Sequence, residues 1–382
     1  PTAQATSAVF GTETSSTLNI TSFTAPVGGA DGYSIFINDT NSFTVPVDGD
    51  EPTGDLTWND AGQQPVYFGT SASPNITVSD LDPGTTYYYQ VYAYNDCSGT
   101  ETYETTGLSS SDTTALGELT ITGIYGLNKV YNGTTAANAY GFSTLTGVLP
   151  GDDVTIVSSP VFTFVTSNVG TGITITTTGY SITGIDAGKY TLTQPTLSAN
   201  ISPAPLTVIA TSGISKVYGA TDPALTYTFT GFVNGNTEGV LDTGVSISRV
   251  SGENAGMYTV IPSGAADSNY SISFVTTTFS ITRAPLTVTA TSGISKVYGA
   301  IDPALTYTIT GFVSGNEEGD LDTGVSISRV SGENAGMYTV IPSGAADSNY
   351  SISFVTTTFS ITRAPLTVTA TSGISKVYGA ID

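Results

Sequence analysis

Apolar and polar residues alternate along this chain with a period of two. In "LTVTATS" Leu286, Val288 and Ala290 alternate with Thr, and "ALTYTIT" does the same with Leu305, Tyr307 and Ile309. "GVSISRV", "GMYTVIP" and "YSISFVTTTFSIT" follow the pattern. A two-residue period puts one face of a strand inward and the other outward, and the outward positions are nearly all Ser and Thr, which suit an exposed sheet face. Gly, Pro, Asn and Asp break the runs, and no window carries a long 3.6-residue apolar period, so the pattern predicts a mainly β chain. "SGNEEGDLDTG" (314–324) is the one stretch that reads as a short helical turn.

The strands fall into repeats. Residues 205–284 and 285–364 align without a gap and differ at six of 80 positions, and residues 365–382 copy 285–302 without a change. The repeat defines the unit of folding, and 80 residues suffice to bury a core. The expected architecture is a linear string of small β domains: 1–116, 117–204, 205–284, 285–364 and the start of a further repeat at 365–382. "SITRAPLTVTA" spans each boundary between repeats, so the last strand of one bead runs almost directly into the first of the next. Pro205, Pro285 and Pro365 hold the preceding residue extended, which predicts stiff joints and gives these prolines a structural role.

The repeat resembles the MBG domain of the YGX type, on "SKVYGAIDPALTYTITGFVSGN" (295–316), "GENAGMYTV" (332–340) and "NYSISFV" with "FSIT" (349–361). The resemblance implies a mainly β fold with a β-grasp-like core, in large secreted adhesins, often of Bacteroidota. Residues 118–204 resemble the related YDG domain, on "NKVYNGTTAA" (128–137), "LTGVLPGDDVTI" (145–156) and "NVGTGITITTTGYSITGIDAGKYTL" (168–192), with Asn132 where the signature has Asp. The first domain resembles fibronectin type III. "LDPGTTYYYQVYAYN" (81–95) would be its E–F corner and F strand, "STLNITSF" (16–23) its B strand and "GYSIFIN" (32–38) its C strand. In that fold a tyrosine hydroxyl ties the corner to nearby backbone, and Tyr87 is the candidate.

Charge narrows the partners. Net charge is −22, and the first 117 residues hold 14 acidic side chains and no Lys or Arg. Nucleic acid and anionic membrane surfaces are poor partners for such a chain. No apolar run reaches membrane-spanning length, and Cys97 is the only cysteine, so no internal disulfide forms.

With His absent, no nucleophile–base pair can be assembled, and the carboxylate pairs Asp152-Asp153 and Glu317-Glu318 sit in Gly-rich turns that read as solvated. No catalytic or cofactor-binding residue is assigned. Asp48, Asp50, Glu51 and Asp55 offer hard oxygen ligands suited to Ca²⁺, against the simpler reading of a solvated acidic loop. Alternation in strand F puts Tyr87, Tyr89, Val91 and Ala93 inward and Tyr88, Tyr92 and Tyr94 outward. With Trp58 from the inserted segment, these outward rings are the candidate ligand-binding set, for sugar rings or a protein partner. The alternative is that they cover their own sheet or the inserted loop. Lys296 is weighed as one end of an isopeptide crosslink, without support from spacing.

The leading functional expectation is a non-catalytic stalk of a secreted surface adhesin or extracellular filament, with an extracellular protein or polysaccharide as ligand and self-association into filaments. The alternative is an accessory region of a large polysaccharide-degrading enzyme.

Overall fold

The computed structural model describes Pro1 and residues 3–381. Asp382 of the last repeat start lies outside the described residues. The protein divides into two compact units, Pro1–Ser202 and Pro203–Asp382.

Unit 1 opens with β1 (Thr6–Phe10), β2 (Leu18–Thr24), β3 (Gly32–Asn38), β4 (Gln64–Gly69), β5 (Ile76–Val78), β6 (Thr86–Asp96), β7 (Glu101–Tyr103) and β8 (Leu108–Thr113). One sheet has the order β1-β2-β5; the other has the order β4-β3-β6-β7, with β8 also on β6. Leu18, Ile20, Ile35, Ile37, Tyr87 and Tyr89 meet between them and are all but inaccessible to solvent, as the two-residue alternation requires.

The rest of unit 1 comprises β9 (Gly117–Gly126), β10 (Lys129–Val130), β11 (Ala136–Ala137), β12 (Ala139–Thr146), β13 (Thr155–Phe164), β14 (Gly170–Thr183), a 3-10 turn at Ala187–Lys189, β15 (Tyr190–Thr193) and β16 (Leu197–Ser202). Its sheets run β10-β16-β14-β13-β11 and β12-β9-β15. Ile121, Ile124 and Tyr180 are buried in its core.

Unit 2 begins with β17 (Ala204–Ala210), β18 (Ser215–Val217), β19 (Tyr227–Thr230), β20 (Ser246–Arg249), β21 (Gly256–Ser263), β22 (Tyr270–Val275) and β23 (Thr277–Thr282). The second repeat reproduces them as β24 (Ala284–Ala290), β25 (Ser295–Val297), β26 (Tyr307–Thr310), β27 (Ser326–Arg329), β28 (Gly336–Ser343), β29 (Tyr350–Val355) and β30 (Thr357–Thr362). Each repeat is a pair of small sheets, β26-β24-β29 and β25-β30-β28-β27 in the second copy. The expected helical turn is the 3-10 turn Glu318–Asp320, capped reciprocally by Glu317 and Asp320. Residues 366–370, identical to most of β24, form no strand.

The structure corrects the reading of "YSISFVTTTFSIT" as one strand. It is two strands, β29 and β30, and they belong to different sheets. The inward phase slips between them: Tyr350 and Ile352 point in on even positions, Phe359 and Ile361 on odd ones. A one-residue slip turns a strand over, so a chain that buries both sets must change sheets near Thr356.

β24 is central in its sheet yet contains Pro285, which has no N–H to donate. The Ala284 amide donates to Asn349 O at 2.9 Å, toward β29. Successive amides point to opposite sides, so a residue at 285 would aim its N–H toward β26. That strand pairs only with residues 287–290, and the proline therefore costs no ladder bond. Pro205 sits opposite Ser271 in the same way. Pro365 lies outside any strand.

Candidate functional site

The aromatic row of β6 is where expectation and structure part. Tyr87, Tyr89, Val91 and Ala93 do face the core. Tyr92 and Tyr94 on the opposite face are also buried, in a second cluster with Phe36 and Tyr103. Phe43, Val45 and Phe68, from the segment that joins β3 to β5, close over it. Phe68 stacks on Tyr94 with ring centres 4.9 Å apart and planes 11° from parallel. Gly32 lies directly across from Tyr94, and a Cβ there would come within 2.2 Å of the phenol oxygen, so only glycine leaves room for the ring. The expected exposed platform of Tyr88, Tyr92 and Tyr94 is thereby corrected: Tyr88 is half-buried and the other two are core. Trp58 is buried as well, edge-on to Tyr87 at 5.3 Å. The alternation was read correctly, and the outcome is the alternative weighed from the sequence: the inserted segment turns an outer sheet face into a second interior.

Tyr87 supplies the corner tie. The Asp82 amide donates to its hydroxyl at 3.0 Å, and burial pushes the phenol up to about 12, against a smaller opposing effect of that bond. Burial also raises Tyr92, Tyr94 and Tyr103, so all of these phenols stay protonated hydrogen-bonding groups.

The acidic loop does not gather into a ligand set. Asp48 accepts the Tyr103 amide at 3.0 Å, Asp50 the Val47 amide at 3.3 Å and Asp55 the Thr57 amide at 2.9 Å. Asp50 and Asp55 thus cap local turns, while Asp48 ties the loop to β7. Among the described residues, no group of three or more His, Cys, Asp and Glu side chains could hold a metal ion. Asp50 and Glu51 instead edge an open cleft of about 520 Å³ whose walls include Phe36, Val45, Pro46 and Pro52.

In the repeats the charged side chains form ion clusters. Lys296 reaches Asp302 at 2.6 Å and also Glu333; Arg329 bonds Asp302 at 2.6 Å and Glu333 at 2.8 Å. The guanidinium also lies over the Tyr338 and Phe359 rings, about 5 Å from each centre. Lys216, Asp222, Arg249 and Glu253 repeat the arrangement 80 residues earlier. Hydrogen bonds from Arg329 and then Lys296 hold the Asp302 carboxyl at about 2, while Asp302 and Glu333 raise Lys296. A charged amine is not a nucleophile and the carbon of an ionised carboxylate resists nucleophilic attack, so this arrangement argues against an isopeptide at Lys296.

Sequence reading placed the joint between the two repeats but missed the contacts that form it. Tyr218 Oη donates to Asn316 Oδ1 at 3.0 Å, and its ring meets Tyr350 edge-on at 5.5 Å and 80°. The Ala255 amide donates to Asn349 Oδ1 at 2.8 Å, and Arg283 Nε donates to Ser348 O at 3.0 Å. Gly219, at φ +80°, lies so close to Val313 that a Cβ would approach its Cγ2 to 2.5 Å. A signal was present: "KVYG" recurs with the repeat period, which marks a tyrosine–glycine pair without saying what it touches. In unit 1, Lys189 plays a comparable bridging part. Its ammonium lies 3.1 Å from Asp152 and from Asp186, and 4.0 Å from Asp82 in the first domain's corner. Burial opposes its charge, but the bonds to Asp152 and Asp186 outweigh that and raise it. Asn132, the departure from the YDG signature, still accepts Lys129 Nζ at 3.1 Å.

Comparison with known families agrees with this domain series. Residues 4–107 match the Fibronectin type III domain, 98–197 the YDG domain, and 206–280 and 286–360 the MBG domain (YGX type). The chain is thus built from one fibronectin type III, one YDG and two MBG domains. These are non-catalytic module types of the kind typical of extracellular repeat proteins. No curated protein matches the sequence. Among solved structures, a redesigned β-sandwich protein aligns at 18% identity and TM-score 0.21, over 29% of this chain and 88% of its own. A chitinase from Bacillus thuringiensis aligns at 13% identity and TM-score 0.18, over 52% of this chain and 27% of its own. Domains 4–9 of the surface layer protein SbsC align at 14% identity and TM-score 0.17, over 90% of this chain and 61% of their own. This chain therefore spans less than two thirds of the latter two. No helix among the described residues is long and apolar enough to cross a membrane.

Proposed function

We propose that the chain is a load-bearing, non-catalytic segment of a secreted cell-surface adhesin or extracellular filament, of the kind found in Bacteroidota. The observation that carries this reading is the joint between two repeats that differ at six of 80 positions. Each repeat has its own core and its own ion cluster, and a specific polar and aromatic contact fixes one to the next. Duplicating such a bead adds reach without adding chemistry. An extracellular protein or polysaccharide is the ligand class that suits the assembly.

The test is cellular. An antibody against this chain should label intact producing cells, and an in-frame deletion of its coding segment should reduce attachment while secretion of the remaining protein continues. Labelling only after cell lysis would sink the reading. The alternative, an accessory region of a secreted polysaccharide-degrading enzyme, draws on the apolar-walled cleft at Phe36, Val45 and Pro46. It requires depletion of the chain from solution by insoluble polysaccharide, and loss of that depletion in a Phe36→Ala variant that still folds.

A further inference from the structure

The second repeat carries the same outgoing face as the first, and there it is uncovered. Tyr298, Gly299, Ala335 and Arg363 are the counterparts of Tyr218, Gly219, Ala255 and Arg283, identical in type at each position. In the first repeat Tyr218 and Ala255 are half-buried against the second. In the second repeat Tyr298 is 54% exposed and Ala335 is exposed. Gly299 keeps the left-handed conformation, φ +88°, with nothing within 4 Å of the place where Val313 meets Gly219. The incoming face is duplicated too. Val313, Asn316, Ser348, Asn349 and Tyr350 correspond to Val233, Asn236, Ser268, Asn269 and Tyr270.

We infer that the face formed by Tyr298, Gly299, the Ala335 amide and Arg363 is a docking surface for a further copy of the 80-residue repeat, placed directly after it in the chain. The first eighteen residues of such a copy are present at 365–382. The occupant is fixed by chemistry already seen once. A side-chain amide must accept the tyrosine hydroxyl, a second tyrosine ring must meet the first edge-on, an asparagine must accept the alanine amide, and a backbone carbonyl must accept the arginine. The incoming face of another repeat supplies all four in register. The contact joins two different surfaces, so a repeat that has received one neighbour still has a second face free for the next. Tyrosine and glycine are adjacent for a reason: the glycine lets the neighbour's valine pack beneath the ring, and a side chain at 299 would hold the two repeats apart. The inference rests on this geometry and does not depend on the adhesin reading.

The experiment completes the third repeat by adding a copy of residues 303–364 after Asp382. Slow amide exchange at residues 366–370 then reports that the added repeat is folded. With docking, the Ala335 amide should exchange at least about tenfold more slowly than in the 382-residue chain, as expected for gaining one hydrogen bond. Tyr298 should at the same time lose reactivity toward a phenol-modifying reagent. Tyr298→Ala in the lengthened chain should return Ala335 toward its original rate while residues 366–370 remain protected. Protection at 366–370 with unchanged Ala335 exchange and unchanged Tyr298 reactivity would overturn the inference. So would a third repeat that leaves 366–370 unprotected, because the face would then have failed to support a neighbour.

Discussion

Residues 285–302 and 365–382 have the same eighteen letters, and residues 285–301 and 365–381 differ in structure. In the first, Leu286, Val288 and Ala290 lie in β24 and are at most 2% exposed. In the second, Leu366 and Val368 are 89% and 86% exposed and no strand forms. Local propensity is equal by construction, so it cannot be what separates them. The difference lies downstream. β24 is held on one side by β26, where Ala290 faces Tyr307. On the other side it is held by β29, where Leu286 faces Ile352 in parallel register. No residues at the matching distance from Leu366 are present in this sequence. A strand here is a property of its partners.

Single substitutions at matched positions sharpen that contrast. The largest expected effect is Leu286→Ala, which should destabilise the second repeat by about 2–5 kcal/mol, the range for a buried leucine. Leu366→Ala should stay within about 0.5 kcal/mol, as for exposed sites. Chemical denaturation of the two variants checks both, and equal effects would mean that 365–382 packs in solution. Next comes the joint. Tyr218→Ala removes an edge-on ring contact and a hydrogen bond, and should cost about 1–3 kcal/mol. Tyr298→Ala should cost less than about 0.5 kcal/mol in this chain, so the pair separates an occupied face from an open one. The glycine pair separates backbone strain from the contact across the joint. Both Gly219→Ala and Gly299→Ala force a side chain into the left-handed region, at about 1 kcal/mol each. Gly219→Ala should exceed Gly299→Ala in melting experiments, because it alone drives a methyl against Val313.

Acid should act on both repeats alike. Asp222 and Asp302 are each held at about 2 by hydrogen bonds from arginine and lysine. A carboxyl lowered in the folded state contributes stability that is complete above its unfolded value, near 4, and is lost as pH falls through the folded one. The melting midpoint of unit 2 should therefore fall between about pH 4 and pH 2. In an Asp302→Asn variant the second repeat should lose part of that dependence while the first keeps it.

Much of this fold was legible in the letters. The two-residue period gave the strands, the 80-residue repeat gave the unit, and "LDPGTTYYYQ" placed a corner that the structure closes with Tyr87 and Asp82. The candidate site was less legible. Period two says which residues of β6 share a face; it does not say whether that face meets water. Tyr92 and Tyr94 meet Phe43, Val45 and Phe68 instead, because the chain between β3 and β5 folds back. The split of β29 from β30 was readable, since the inward phase changes between Ile352 and Phe359, but a run of threonines bridges the slip and disguises it. The acidic loop showed its carboxylates in the sequence but not their partners, which in the fold are backbone amides 2.9–3.3 Å from Asp48, Asp50 and Asp55.

The sequence by itself determined the class, the repeat and the alternation, because these depend on side-chain type at neighbouring positions. Tertiary structure decided which tyrosines are interior, which carboxylates pair with cations, and which of two identical segments becomes a strand. Those outcomes depend on residues tens of positions away that arrive only when the chain folds. Hydrophobic burial and backbone pairing are settled by what lies across the gap, and no local reading contains that.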